Sequence, residues 1–188
     1  SQWLVLKYLH LAFLKICVGF RVHLKSYIKQ VVAMAAVHML PGAIIASNTS
    51  ALSVTEIATA VPHPERVVGM HFFNPVHKMK LVELVRGIAT SDEAVAKARE
   101  YSDALGKTSI IVNESPGLTT SRMSAMLGNE AMWMLQEGVA TAEDIDTALR
   151  MGFNHPMGPL ELGDLTGWDT RLSVLRYPHS TLGDKFRP

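Results

Sequence analysis

The sequence predicts an α/β sheet followed by an all-helical domain. The patterns between residues 43 and 113 follow the order strand, helix, strand, strand, helix, strand, which is typical of an α/β sheet. Beyond Ser115, Pro116 and Gly117, only helical patterns follow. We therefore predict a domain boundary at this Ser-Pro-Gly segment.

Each element of the predicted sheet has its own signal. A helical pattern over residues 26–40 ends at Pro41 and Gly42. Two capping boxes, Ser53 with Glu56 and Thr90 with Glu93, open helices, and the second helix runs to Leu105. The strands are short, largely apolar runs, as expected for buried strands; they cover residues 43–47, 66–71, 80–86 and 108–113.

The second half of the chain has helical spacing of its apolar residues. Residues 122–136 form one predicted helix, with Gly138 as its stop. Thr141 opens a second helix that reaches about Met151, and residues 160–165 start a third piece. No strand pattern occurs here, so the domain is predicted to be all-α.

Composition excludes several classes of protein. The 188 residues include 18 Lys and Arg, 17 Asp and Glu, and 48% apolar residues, which is typical of a globular chain and not of a disordered one. A single cysteine excludes a disulfide scaffold or a cysteine-rich zinc module and favours a reducing compartment, so we expect a cytoplasmic protein. No basic stripe interleaved with aromatic residues is present, so no nucleic-acid partner is predicted.

The net charge of +1 conceals an uneven distribution. The first 55 residues contain five basic residues and no acidic one, whereas the remainder carries 13 basic and 17 acidic residues, so +5 and −4 sum to +1. Ordinary chains contain roughly 12% acidic residues. We therefore entertain the hypothesis that residues 1 to about 35 are a frame-shifted or misassembled translation.

Residues 3–20 are apolar but are interrupted by Lys7, His10 and Lys15. A spanning helix needs about 18 or more apolar residues with few charges, so a membrane span is not predicted. Three interpretations stay open for this stretch. It is a basic amphipathic helix on a membrane surface, a helix packed on the rest of the protein, or a segment foreign to the fold.

Polar side chains cluster at predicted strand ends, where open α/β sheets bind their ligands. Ser50 follows the first strand within Asn48-Thr49-Ser50, and His71 ends the second strand. Glu83 lies in the third strand, on the face of two apolar residues, and a carboxylate in that position needs a partner. A short connection joins the second and third strands, so a His71–Glu83 contact is possible, and such a pair can act as a general base.

Structural alternatives exist for every one of these residues. His71 could simply bond the backbone at a strand end, and Glu83 could lie on the surface of an edge strand. Ser50 and Ser121 could cap helices, and Asn74 could serve an Asn-Pro turn. His71 and His77 are six residues apart with no cysteine nearby, so no metal site is predicted.

Five long motifs follow one another along residues 46–170: ASNTSALSVTEIA, GMHFFNPVHKMKLVELVRG, ALGKTSIIVNESPG, NEAMWMLQEGVATAEDID and NHPMGPLELGDLTGWDT. In content and order they resemble the L-3-hydroxyacyl-CoA dehydrogenase family, and the pattern is similar to that of its bacterial 3-hydroxybutyryl-CoA and 3-hydroxyacyl-CoA dehydrogenases. The resemblance covers about residues 40–188.

The resemblance implies a partial Rossmann-type sheet, NAD as cofactor, an acyl-CoA substrate and a homodimer formed by the helical domain. It implies that His71 is the general base and that Glu83 orients it. Ser50 would bond the substrate oxygen near the nicotinamide, and Asn74 would contact the cofactor. The family often has Asn at the position that Ser121 occupies in this chain. The Ser121 hydroxyl could still donate a hydrogen bond to the substrate oxygen.

The chain departs from the family in its first segment, because it contains no GxGxxG loop and no acidic residue before Glu56. We accordingly expect a family member truncated at both ends that binds NAD poorly, if at all. Its domains would be an unassigned helix (1–25), a remnant of the NAD-binding domain (26–115) and an incomplete helical domain (116–188). The alternative is a catalytically incomplete fragment that acts at most as a dimerisation module.

Overall fold

The computed structural model describes residues 21–49 and 52–188. The helix considered for residues 3–20 and the predicted site residue Ser50 lie outside the described residues. The chain divides into two compact units, the first ending at Ile111 and the second running from Val112 to Pro188.

The first unit is a four-stranded sheet with helices. Its strands lie in the order β1-β2-β3-β4, with β1 parallel to β2 and β2 antiparallel to β3. The elements are α1 (Arg21–Val37), β1 (Ile45–Ser47), α2 (Val54–Ala58), β2 (Val67–Phe72), β3 (Leu81–Arg86), α3 (Asp92–Ala104) and β4 (Thr108–Asn113), with a 3-10 turn at Pro64–Arg66 before β2. The predicted α/β class is confirmed.

The core of this unit lies between the two central strands and α3. Strands β2 and β3 are buried along most of their length, as their continuous apolar sequence predicts. Helix α3 covers one face of the sheet with its small and β-branched residues. The buried cluster consists of Val68, Met70, Val82, Leu84, Val95 and Ala98.

One predicted helix cap lies one residue away from its expected position. Ser91, not Thr90, caps α3, because its hydroxyl accepts a hydrogen bond from the Ala94 amide at 3.1 Å. The buried Thr90 hydroxyl instead donates to the Val67 carbonyl at 2.6 Å and accepts from the Gly87 amide at 3.0 Å. A contact between elements thus outweighs the local capping pattern. The predicted cap at Ser53 is confirmed, with its oxygen 2.9 Å from the Glu56 amide.

The second unit consists of helices, as predicted. They are α4 (Thr120–Gln136), α5 (Ala142–Gly152), α6 (Pro159–Thr166) and α7 (Trp168–Leu182), with a 3-10 turn at Asp184–Phe186. Its core brings together Ala131, Ile145 and Leu160 from three of these helices.

A buried aspartate joins α5 to α6. The Asp146 carboxylate accepts hydrogen bonds from the Leu160 amide at 2.8 Å and the Glu161 amide at 2.9 Å. These amides belong to the first turn of α6, which has no side-chain cap of its own, so a carboxylate from another helix satisfies them. A Cβ at Gly158 would lie 2.3 Å from the Asp146 side chain, which explains the glycine there.

Helix α7 has no counterpart among the predicted helices. Its buried positions include Arg171 and Pro178, which interrupt the apolar periodicity that would reveal a helix. The Arg171 guanidinium fits against Gly128 and donates to the Ser124 carbonyl at 3.0 Å, and burial lowers its pKa from the ordinary value.

Candidate active site

His71 and Glu83 form a buried hydrogen-bonded pair. They are direct partners in the antiparallel register of β2 and β3, and the Nδ1 atom of His71 lies 2.7 Å from Oε2 of Glu83. Glu83 is fully buried, and His71 is 7% exposed. The structure thus brings together the two residues that strand alternation indicated.

The surroundings explain why the two side chains meet. Glu83 lies among the apolar residues of β3, and β3 is an interior strand between β2 and β4, so the edge-strand alternative for Glu83 is wrong. A buried carboxylate is strongly disfavoured without a partner, and the register places the imidazole opposite it. The Phe73 ring packs on the imidazole with a centroid separation of 4.7 Å.

The bond to Glu83 defines the chemistry that His71 can perform. If Nδ1 carries the proton and donates it to the carboxylate, Nε2 holds a lone pair. Such an imidazole can take a proton from a hydroxyl, and the carboxylate then stabilises the imidazolium that forms. The geometry is that of a general acid–base pair.

The Asn48-Thr49 segment after β1 is tied to the same end of β2. The Asn48 side-chain oxygen accepts a hydrogen bond from the Phe72 amide at 2.9 Å, one residue after His71. The buried Thr49 hydroxyl accepts a hydrogen bond from the Leu52 amide at 2.6 Å. The Thr49 contact is local, whereas the Asn48 contact joins residues that are 24 positions apart in sequence.

Asn74 lies exposed in the connection between β2 and β3, two residues beyond the end of β2, and its peptide bond to Pro75 is cis. The turn alternative and the cofactor-binding prediction are both compatible with this position. The role of Asn74 therefore stays a prediction.

Ser121 belongs to the second unit, where it is the second residue of α4. The residue at the N-cap position of α4 is Thr119, so the capping alternative for Ser121 is wrong. Its predicted contact with a substrate oxygen stays a prediction.

Within residues 21–49 and 52–188, no group of three or more His, Cys, Asp or Glu side chains is arranged to hold a metal ion. His77 is exposed in the connection that follows β2. His155 lies in the turn after α5, where its amide donates to the Leu149 carbonyl at 3.2 Å.

The sheet and the helices around it define a protein of the α/β class, with a buried His–Glu pair near the end of a strand. Two family models match the chain. The NAD binding domain of 3-hydroxyacyl-CoA dehydrogenase covers residues 22–115, and the C-terminal domain of the same enzyme covers residues 117–188. The chain belongs to the 3-hydroxyacyl-CoA dehydrogenase family.

Individual proteins that are similar to this chain carry names from the same family. A probable 3-hydroxybutyryl-CoA dehydrogenase of Bacillus subtilis is 50% identical over 149 residues, which are 79% of this chain and 52% of that protein. A 3-hydroxybutyryl-CoA dehydrogenase of Bradyrhizobium diazoefficiens is 46% identical over the same length, 51% of that protein. The chain therefore spans about half the length of the curated relatives it matches.

Solved structures show the same fold. The crystal structure of (S)-3-hydroxybutyryl-CoA dehydrogenase from Ralstonia eutropha matches with a TM-score of 0.82 and 40% identity, covering 91% of this chain and 59% of that one. None of the helices in the described part of this chain is both long and apolar enough to cross a membrane.

Proposed function

We propose that this chain carries the acid–base machinery of an NAD-dependent L-3-hydroxyacyl-CoA dehydrogenase. The reaction is the reversible oxidation of an (S)-3-hydroxyacyl-CoA to the 3-ketoacyl-CoA in fatty acid metabolism. The observation that carries the proposal is the buried His71–Glu83 pair, with the imidazole and carboxylate 2.7 Å apart. The names of the relatives support the substrate class.

In the oxidative direction, His71 takes the proton of the substrate's 3-hydroxyl on Nε2 as the carbon–oxygen double bond forms. Glu83 holds the imidazole in the required tautomer and stabilises its protonated form. In the reductive direction, the same nitrogen returns the proton to the carbonyl oxygen. The chemistry that bound NAD would supply is that of a hydride acceptor for C3 of the substrate.

Two serines and an asparagine complete the proposed site. Ser50 and Ser121 each donate a hydrogen bond to the substrate oxygen, and Asn74 contacts the cofactor. The exposure of Asn74 supports a contact with the cofactor. For the pyrophosphate, the 188 residues offer no GxGxxG loop.

We assign residues 26–115 to a remnant of the NAD-binding domain and residues 116–188 to the helical domain, with residues 1–25 unassigned. The two family models, which meet near residue 116, support this division. The single cysteine among 188 residues supports a cytoplasmic location.

The test is NADH oxidation with acetoacetyl-CoA as the oxidant, followed by loss of NADH absorbance. We expect slow turnover that requires both substrates, with weak NADH binding because the phosphate-cradling loop is absent. Titration of NADH fluorescence on the same chain measures that affinity, and a micromolar dissociation constant would refute the expected weak binding. No turnover together with no NADH binding would favour the second candidate, a non-catalytic dimerisation module.

Exposed apolar side chains in the second unit support a homodimer formed by the helical domain. Met151, Phe153 and Leu165 are 81%, 74% and 70% exposed, and large exposed apolar side chains are candidates for a contact between protein subunits. We expect light scattering to give twice the chain mass of 20.6 kDa. Phe153→Lys should shift the mass towards the monomer.

Ile88→Lys serves as the matched control for this experiment, because Ile88 is 91% exposed in the first unit. It should leave the mass of the assembly unchanged. A wild-type chain that is monomeric at all concentrations, or a Phe153→Lys variant with the wild-type mass, would argue against this dimer.

A further inference from the structure

The connection between β2 and β3, residues 73–80, is the segment that leaves His71 and returns to Glu83. It begins with Phe73, whose ring packs on the His71 imidazole, and continues with Asn74. Its second half folds into a tight turn, in which the Lys78 and Met79 amides donate to the Pro75 carbonyl at 2.9 and 3.0 Å. Most of this connection is exposed, so its own packing does not hold it in place.

A lysine from a distant part of the sequence holds the turn. The half-buried Lys107 ammonium donates to the Val76 carbonyl and, at 2.7 Å, to the Met79 carbonyl. These hydrogen bonds are charge-assisted and therefore stronger than neutral ones. The next residue adds a backbone bond, from the Thr108 amide to the Lys80 carbonyl at 2.8 Å.

The backbone of Lys107 is itself fixed. Its amide donates to the Ser102 carbonyl at 2.9 Å, at the end of α3, and β4 begins at the following residue. The side chain therefore extends from a rigid junction of helix and strand. Each of its two carbonyl partners is about 30 residues away in sequence, and both belong to the one exposed turn.

We propose that Lys107 is a positioning residue of the acid–base pair, and this inference rests on the proposed function. By holding the carbonyls of Val76 and Met79, Lys107 keeps the connection against β4. The connection in turn keeps Phe73 on the imidazole of His71 and Asn74 at the end of β2. Lys107 touches neither member of the pair and acts through the backbone of the connection.

The chain offers a matched control in Lys97. Its ammonium donates to the Gly42 carbonyl at 2.6 Å, which is the same kind of bond between distant parts of the first unit. Gly42 precedes β1 and does not belong to the connection. Lys97→Met should therefore remove a hydrogen bond of the same kind without disturbing His71.

The experiment compares Lys107→Met, Lys107→Arg and Lys97→Met in the full chain by two measurements that require no turnover. Hydrogen exchange of residues 73–80 reports on the connection, and the NMR signals of the His71 ring, assigned with His71→Gln, report on its contact with Phe73. We expect exchange in Lys107→Met to be about tenfold faster or more, and the ring signals to shift. Lys107→Arg, which also donates to two carbonyls, should restore both.

Wild-type ring signals in Lys107→Met, or an equal shift in Lys97→Met, would overturn the positioning role. If the methionine variant does not fold, the shorter, uncharged Lys107→Gln replaces it with the same expectations. Absence of NADH oxidation by the wild-type chain would count against the proposed function alone. The exchange and ring-signal results decide the role of Lys107 independently.

Discussion

Replacing His71 with glutamine is expected to lower the rate of acetoacetyl-CoA reduction by a factor of about 100 to 10,000, the usual contribution of a positioned general acid or base. Glutamine retains a polar side chain of similar reach but cannot give or take a proton near neutral pH. The rate should fall at saturating substrate, because the proton is transferred in the transition state and not on binding. The measurement is the initial rate of NADH oxidation.

Glu83→Gln tests the other half of the pair. The amide keeps the shape of the carboxylate but neither carries its charge nor favours the tautomer with a free Nε2, so the rate should also fall. His77→Gln is the matched control, because His77 is exposed in the connection that follows β2. A His71→Gln variant with the rate of His77→Gln would show that His71 is not the base.

The His71→Leu variant is expected to lose about 3–5 kcal/mol of unfolding free energy, since it removes the imidazole that is hydrogen-bonded to a fully buried carboxylate. The Glu83 carboxylate then remains fully buried without the imidazole 2.7 Å away. The double variant His71→Leu/Glu83→Leu should regain most of the loss, because two apolar residues suit the buried interior of β2 and β3. Denaturant unfolding of the two single variants and the double variant measures the coupling.

An exposed His–Glu pair supplies the control for these single and double variants. His63 and Glu65 lie 3.2 Å apart, but their side chains are 62% and 47% exposed. His63→Leu should therefore change the unfolding free energy by less than about 1 kcal/mol. Equal losses in His63→Leu and His71→Leu would mean that burial does not determine the strength of the pair. Full recovery in the double variant would show that the pair contributes no net stability over two apolar residues.

Local patterns predicted most of the elements of this chain. Ser53 and Thr141 each cap the helix that they were expected to open, and β4 covers the predicted residues 108–113. Each of these patterns depends on residues only a few positions apart, so the tertiary structure does not change what they predict. The pairing of His71 with Glu83 was also accessible, because a carboxylate on an apolar face requires a partner and the neighbouring strand offers one.

Where local patterns were insufficient, a distant partner decided the outcome. Thr90 matches the capping pattern but bonds Val67, and the cap passes to Ser91. Helix α7 escaped prediction because Arg171 occupies a buried position, which is possible only beside Gly128 and the Ser124 carbonyl. These partners are 23 to 47 residues away in sequence.

The sequence by itself determined the α/β-then-helical order of this protein, the family to which its motifs point, and the candidate pair His71 and Glu83. Periodicity and capping act within a few residues, so they can be read without coordinates. Only the tertiary structure decided that Glu83 lies on an interior strand, 2.7 Å from the imidazole, and that Lys107 secures the turn beyond His71. The reason is that strand register and packing bring together residues far apart in the chain, and no local pattern encodes those distances.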